Sequence, residues 1–310
     1  MAVATTIEGL APTVAPTPAP VRPRRRSERF TIGSTIVVVI YALCCLVPFW
    51  VIIASSLTDE SEVSRTGYSF FPSDFSLEAY AQIFGGSSFV INAYVASVFI
   101  TVIGTALALS ATSGLAWVIS RRESRFSRPL AFYTYIPLLL SGGLVPLYIL
   151  VTQYLQLRNT WWAVILPLAV SPFLVFVQMQ FFREIPQALI DSARIDGANE
   201  LRIFFTIVLP ISKPILAVIG LFYGVTYWNE WFTALLFISD KELQPLQQVL
   251  QMMIGNVSAA QAIQPAAEAS APIYQLRMAL TVVTMGPILL AYPFAQRYFV
   301  KGLTLGATKG

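Results

Sequence analysis

Histidine does not occur in these 310 residues. Its absence removes the commonest general base and the commonest metal ligand. Cysteine occurs only as the adjacent pair Cys44 and Cys45, inside an apolar run, so neither a disulfide framework nor a cysteine metal site is implied. Charge is scarce as well: Asp, Glu, Lys and Arg make up 12% of the chain, against about 25% in an ordinary soluble domain. No G-x-x-x-x-G-K-[ST] run is present, the stretch from Gly302 to Lys309 having the wrong spacing, so the chain carries no P-loop for ATP.

What fills the chain instead is apolar, at 56% of residues. A bilayer core about 30 Å thick needs roughly 20 mainly apolar residues per helix. Charge-poor stretches of that length recur near 31–55, 89–119, 130–152, 161–182, 214–238 and 276–299. None alternates apolar with polar residues, as barrel strands do, so the expectation is an all-α integral membrane protein with six transmembrane helices. The uncharged run from Ala79 to Ser120 is too long for one span, but Gly85-Gly86 divides it into a short interfacial helix, Ser76 to Phe84, and a span from Phe89. The N-terminal segment lacks an apolar h-region before its arginines and is rich in Pro and Ala. Residues 1–30 are therefore expected to be a disordered tail and not a cleaved signal.

Basic residues sort by side. With the N-terminus inside, sixteen Lys and Arg fall on inner segments, among them Arg121, Arg122, Arg183, Arg194, Arg202, Arg297, Lys301 and Lys309, and four fall outside: Arg65, Arg158, Lys241 and Arg277. That asymmetry predicts cytoplasmic termini. It accounts for the +4 net charge as a topology signal, with no case for nucleic acid. No strong internal repeat is visible.

One polar stretch stands out, DSARIDGANELRIFFTIVLP at 191–210, between the fourth and fifth spans. Pro186 suits the first turn of a helix and Gly197 the left-handed residue that ends one, so 186–196 reads as a helix of about three turns. Leu189 and Ala193 share a face of it, with Ala188 and Ser192 beside them. A second helix near Asn199, with Leu201, Phe204, Phe205 and Val208 as its stripe, is expected to stop at Pro210. On the residues alone, an amphipathic loop resting on headgroups competes equally with a rigid elbow made for a partner.

The same stretch resembles the cytoplasmic signature of permease subunits of binding-protein-dependent ABC importers. In that signature a Glu-Ala-Ala start is followed by a Gly, nine residues and Ile-x-Leu-Pro. Here Asp191-Ser192-Ala193 stands at the start, Gly197 is the Gly, and Ile207-Val208-Leu209-Pro210 closes it. Asp for Glu keeps the charge, and Ser for Ala keeps the side chain small. VPFWVIIASSLTD, SGGLVPLYILV, LPISKPILAVIGLF, YWNEWFTALLFISD and YPFAQRYFVKGLTLGATKG are similar to carbohydrate-uptake permeases, in particular those serving oligosaccharides and polysaccharide fragments.

The resemblance implies the type I ABC importer permease fold: a transmembrane domain over 31–299, a cytoplasmic coupling loop over 183–213 and a cytoplasmic tail over 300–310. It implies a second, homologous permease, two ABC ATPase subunits that hold ATP and Mg, an extracytoplasmic solute-binding protein and a carbohydrate substrate, with lipid around the spans. No cofactor would be held by this chain. Asp191, Ser192, Ala193, Arg194, Asp196, Gly197, Ala198, Leu209 and Pro210 would form the ATPase-coupling elbow. The charges of Asp191, Arg194, Asp196 and Arg202 could pair at the rim of the ATPase groove.

Inside the spans, Tyr227-Trp228-Asn229-Glu230-Trp231 is a candidate substrate pathway. An acid in a span costs roughly 2.5–3.5 kcal/mol, and aromatic planes beside Asn and Glu suit a sugar's ring faces and hydroxyls. The competing reading is an interfacial aromatic belt with Glu230 near the headgroups. Gly142 and Gly143 either loosen a helix beside the pathway or allow close packing, and Gly220-x-x-x-Gly224 reads as ordinary close packing. Two further functions remain: an integral-membrane enzyme acting on a lipid-linked sugar, which would need clustered catalytic groups, and a secondary transporter, which should show repeats and coupling-ion ligands.

Overall fold

The structure is a computed structural model that describes residues 28–68, 70–72, 74–85, 88–263 and 274–289. The expected tails at 1–30 and 300–310, and the end of the sixth span at 290–299, lie outside the described residues except for 28–30. The chain divides into two units, residues 1–48 and 49–310. The first holds the leading part of α1 (Glu28–Ser56). Of that helix the 24 residues Gly33–Ser56 are apolar enough to cross a membrane, at roughly 36 Å for 1.5 Å per residue.

In the second unit the elements are helical throughout the described residues, apart from one isolated bridge between Thr58 and Phe75. The loop after α1 carries α2 (Glu60–Thr66) and α3 (Glu78–Gly85). Asp59 caps α2, and bonds from the Ser61 hydroxyl and backbone N–H hold its carboxyl below the usual range. The Glu60 carboxylate accepts the Tyr274 and Gln275 N–H groups at 2.9 and 2.7 Å, capping the helix 274–289. These short helices thus lock onto the last described one.

The spine is α4 (Ser88–Ser120), 33 residues without a charge, which exceeds the bilayer core at about 50 Å. Three clusters are strung along it. Near its start, Val90 and Ala93 pack with Ala79 and Ile83 of α3, with Leu246, Val249 and Leu250 of a helix over Leu246–Ile263, and with Ala279 and Leu280. In the middle, Ile100 and Ala108 meet Ile219, Tyr223 and Tyr227. At its end, Ala116, Trp117 and Ile119 meet Val175, Met179 and Phe182. Small residues set the close approach: a Cβ on Gly104 would lie 2.8 Å from the Tyr227 ring, and Gly220 and Gly224 sit against Leu109 and Thr105. The G-x-x-x-G is therefore ordinary close packing, as expected. Polar groups in this interior pair with one another: Gln178 Nε2 donates to Ser113 Oγ at 2.7 Å, and Tyr223 and Thr112 hydroxyls lie 2.6 Å apart.

The next predicted spans are bent. α5 (Ser127–Leu139) and α6 (Leu144–Ile149), the latter running on as a π turn to Tyr154, meet at 117°. Gly143 at φ +81° is the hinge, a conformation that favours glycine. The stretch 130–152 is thus no single straight helix. A Cβ on Gly142 would meet nothing within 4 Å and one on Gly143 only Pro146, so neither glycine packs against another helix among the described residues. α7 (Trp162–Ile165), with a 3-10 turn to Leu168, meets α8 (Pro172–Arg183) at 51°. Two helices qualify as membrane-crossing on length and composition, and up to five do if each bent pair is one crossing, among the described residues.

Candidate functional site

The stretch 191–210 folds as two helical pieces about a glycine. α9 is Gln187–Ile195, with Pro186 at its N-cap and not inside its first turn. Asp196 is the C-cap, and Gly197 at φ +81° reverses the chain. The Ala198 N–H reaches the Ala193 carbonyl at 2.9 Å and the Gly197 N–H the Arg194 carbonyl at 3.0 Å. That pair of bonds is a Schellman motif, which satisfies carbonyls the helix end leaves orphaned. Two residues later the Asn199 side chain accepts the Arg202 N–H at 2.8 Å and starts α10 (Glu200–Ile203). A C-cap and an N-cap back to back leave no slack in the turn.

The second piece does not stop at Pro210. It runs on as a π turn, Phe204–Val208, and a last helical turn, α11 (Leu209–Ile211). Proline has no N–H to give the α-helical ladder, and the wider turn before it bonds Leu209 N–H to the Phe204 carbonyl instead. The break falls at Ser212, where the chain turns 84° into α12 (Lys213–Trp228).

Ile190 and Ala193 of α9, with Ile203, Phe204 and Val208, are buried against Trp117 and Ile119 of α4 and Phe182 of α8. This corrects two expectations. Ala193, only 9% exposed, is covered by its own chain and does not share an open face with Leu189. Leu201 and Phe205 point outward, not along one stripe with Phe204 and Val208. The outward apolar set is Leu189, Ile195 (86% exposed), Leu201 and Phe205, with Ala188, Ser192 and Pro210 also exposed. Ala198 and Leu209 are half-buried against the cluster.

Charges add a second tie. Arg194 Nη2 lies 2.6 Å from Glu200 Oε1 and Nη1 lies 3.1 Å from Glu123 Oε2, with Asp191 Oδ1 at 3.6 Å. Bonds to Glu200 first, then Glu123, push the Arg194 guanidinium further above its usual range, so it stays charged. Gln187 bridges, donating to Asp191 at 3.0 Å and accepting from Arg121 at 3.1 Å. Arg194 and Asp191 are therefore engaged within the chain, which leaves Asp196 and Arg202 as the charges without a side-chain partner among the described residues. Exposed ion pairs contribute about 0.2–1 kcal/mol each, whereas burying Ile190 or Ile203 contributes about 1.5–3. The apolar seat holds the elbow; the ions fix its angle. Glu123 and Glu200 were not legible as site residues: Glu200 lies across the turn from Arg194, and Glu123 belongs to another loop.

The five residues Tyr227–Trp231 part company. Tyr227 and Trp228 end α12 and are buried, their polar atoms donating to the Ile165 carbonyl at 2.9 Å and the Thr284 carbonyl at 3.0 Å. Then the helix stops. Asn229 is its exposed C-cap, Glu230 and Trp231 are half-buried, and α13 (Phe232–Phe237) begins. The stretch 214–238 is thus interrupted. Glu230 accepts the Thr233 N–H at 2.7 Å, so its charge sits on the N-terminus of α13, and Asn229 Oδ1 accepts from Gln247 at 3.3 Å. Gly142 and Gly143 lie at the other interruption, between α5 and α6. α6 stacks on α13 through Tyr148 and Phe237 at 5.8 Å.

Among known proteins, residues 104–305 match the family described as binding-protein-dependent transport system inner membrane component. The chain is similar, at 41% identity over 87% of its length and 94% of the relative's, to the polygalacturonan/rhamnogalacturonan transport system permease protein YtcP of Bacillus subtilis (strain 168). It is 38% identical to protein LplC of the same organism, over 86% of this chain and 90% of that one. A solved bacterial ABC transporter involved in the import of the acidic polysaccharide alginate has a chain of the same fold, with TM-score 0.76, 26% identity and coverage of 91% and 100% of the two chains.

Proposed function

Because the chain belongs to the family of inner membrane components of binding-protein-dependent transport systems, we propose that it is the permease subunit of an ATP-driven importer of oligosaccharides or polysaccharide fragments. It is a transporter subunit and not an enzyme; ATP and Mg would be held by two partner ATPase chains. With a second permease it would enclose the pathway, fed by a solute-binding protein on the outer face. Both termini would be cytoplasmic.

The observation that carries the coupling role is the elbow at 187–211. It is rigid at its turn, seated on the ends of α4 and α8, and continuous through Ser212 with α12. Its outward side offers Leu189, Ile195, Leu201 and Phe205 with Asp196 and Arg202, an apolar centre with charges at hand, which is how a protein interface is composed. A push on this element reaches α4 through the buried cluster and α12 through the bend at Ser212, whose N–H donates to Val208 and whose carbonyl accepts from Leu216. Coupling further requires that the docked ATPase differ in free energy between inward- and outward-open states. Asn229, Glu230 and Trp231, at the break after α12, are assigned to the substrate pathway together with the Gly142-Gly143 hinge; Tyr227 and Trp228 brace the break after α12 from behind.

The test is to purify the tagged chain in mild detergent, identify the proteins that accompany it, reconstitute the complex and screen glycans for stimulated ATP hydrolysis. A copurifying ATPase stimulated by galacturonan or other acidic oligosaccharides is the expected result. Recovery without any nucleotide-binding chain, or hydrolysis indifferent to every glycan and binding protein, would overturn the reading.

A further inference from the structure

We propose that the cleft where α4, α8 and α9 meet binds the phosphodiester headgroup of an anionic phospholipid. The inference does not depend on which substrate is carried, and α9 of the elbow contributes Gln187 to the lining. The cleft has a volume of about 310 Å³ and is lined by Trp117, Arg121, Arg122, Glu123, Arg183 and Gln187, with Phe182 in its floor. α4 ends at Ser120 and α8 at Arg183, so all three arginines stand where the apolar runs of these two helices give way to charge.

Basic residues at the ends of spans are common, and the helix dipole favours them there. What sets this cleft apart is Arg121. Its side chain is only 10% exposed, and its one carboxylate partner, Glu123, is 3.4 Å away and shared with Arg194 at 3.1 Å. Its other contacts are the neutral Gln187 carbonyl and the Trp117 ring, at 5.2 Å to the centroid. A guanidinium offers five N–H donors, and two are engaged among the described residues. An anion with several acceptor oxygens would fill the donors that remain.

Arg122 and Arg183 are exposed on the same cleft, and neither has a carboxylate within 4.0 Å among the described residues. Three arginines against Glu123 leave the cleft with a surplus of positive charge. Phosphodiester oxygens accept bidentate bonds from guanidinium, and buried Trp117 and Phe182 give the glycerol an apolar wall. A lipid fits better than a soluble phosphate because the site lies between the ends of two long apolar helices, and basic pockets between membrane helices recruit acidic headgroups.

The complex as purified, with the subunits that accompany it, is placed in phosphatidylcholine nanodiscs. These are doped with phosphatidylglycerol or, in a parallel arm, exposed to inorganic phosphate. Native mass spectrometry counts retained lipid after detergent extraction. Wild type is expected to retain phosphatidylglycerol over phosphatidylcholine, with inorganic phosphate failing to displace it. Each arginine removed should weaken retention roughly fivefold, so Arg122→Gln with Arg183→Gln lowers it about 25-fold. The exposed Arg122→Gln alone, about fivefold, covers the case in which the double variant does not fold. Equal retention of the two lipids, or unchanged retention in the variants, would overturn the site. Displacement by inorganic phosphate would reassign the cleft to a free phosphate and overturn the lipid assignment.

Discussion

Gly197 is the residue on which the elbow turns, and a substitution series there separates backbone strain from everything else. Its φ is +81°, and a Cβ built on it meets no atom within 4 Å. Any effect of adding a side chain therefore comes from the left-handed conformation and not from a clash. For an L-residue that conformation costs about 1–2 kcal/mol, less for Asn or Asp, more for a β-branched residue. The expected order of damage is Asn, then Ala at about 1 kcal/mol, then Val at about 2 or more. What opens is local: the Ala198-to-Ala193 and Gly197-to-Arg194 bonds of the motif. Hydrogen exchange of peptides covering 193–203 should accelerate about fivefold for Gly197→Ala and about 30-fold for Gly197→Val, since each 1.4 kcal/mol is a factor of ten. Uptake per ATP hydrolysed should fall in the same order while the chain stays in the membrane. Gly197→Asp adds charge at little backbone cost, so uncoupling beyond that of Gly197→Asn measures repulsion at the docking face. Equal exchange in Gly197→Val and wild type, or Asn more damaging than Val, would refute this account.

Five further substitutions probe the site. A double-mutant cycle of Arg194→Gln with Glu123→Gln should give a coupling of about 0.2–1 kcal/mol, falling in 1 M salt, while Ile190→Ala should cost about 2–5 kcal/mol of thermal stability; a cycle energy exceeding the Ile190 effect would show that ions, not burial, seat the elbow. Glu230→Ala should lose the cap on α13, about 1 kcal/mol in melting experiments, whereas Glu230→Gln keeps an acceptor and should leave stability near wild type but alter sugar uptake. Unchanged uptake in Glu230→Gln across candidate glycans would reduce Glu230 to a cap.

Tyr227 to Trp231 read as one segment in sequence, but the structure divides them into a buried pair and three residues that are exposed or half-buried. Aromatic residues look alike in sequence whether they face a cavity or a neighbouring helix, and only the partners of their polar atoms tell. The Tyr227 hydroxyl and the Trp228 indole each found a backbone carbonyl on a distant segment, Ile165 and Thr284. Ala193 was misread similarly: a small residue beside Leu189 suggests an open contact face, and the structure fills that face with Trp117 and Phe182. Pro210 was expected to end its helix, yet a π turn accommodates the missing N–H two residues earlier.

By itself the sequence determined what depends on local composition and spacing. Its apolar runs dictate a helical membrane chain, because a backbone in lipid must bond within its own segment. Gly197 and Asn199, one able to adopt φ +81° and the other able to cap, place the elbow's turn to the residue. Tertiary structure decided what depends on residues far apart in the chain. Glu123 reaches Arg194 across 71 positions, Arg121 is walled in by Trp117 and Gln187, and α4 is the spine that gathers three clusters. Such contacts are set by how helices pack, and helical periodicity tells which face of a helix is apolar without telling which partner will cover it.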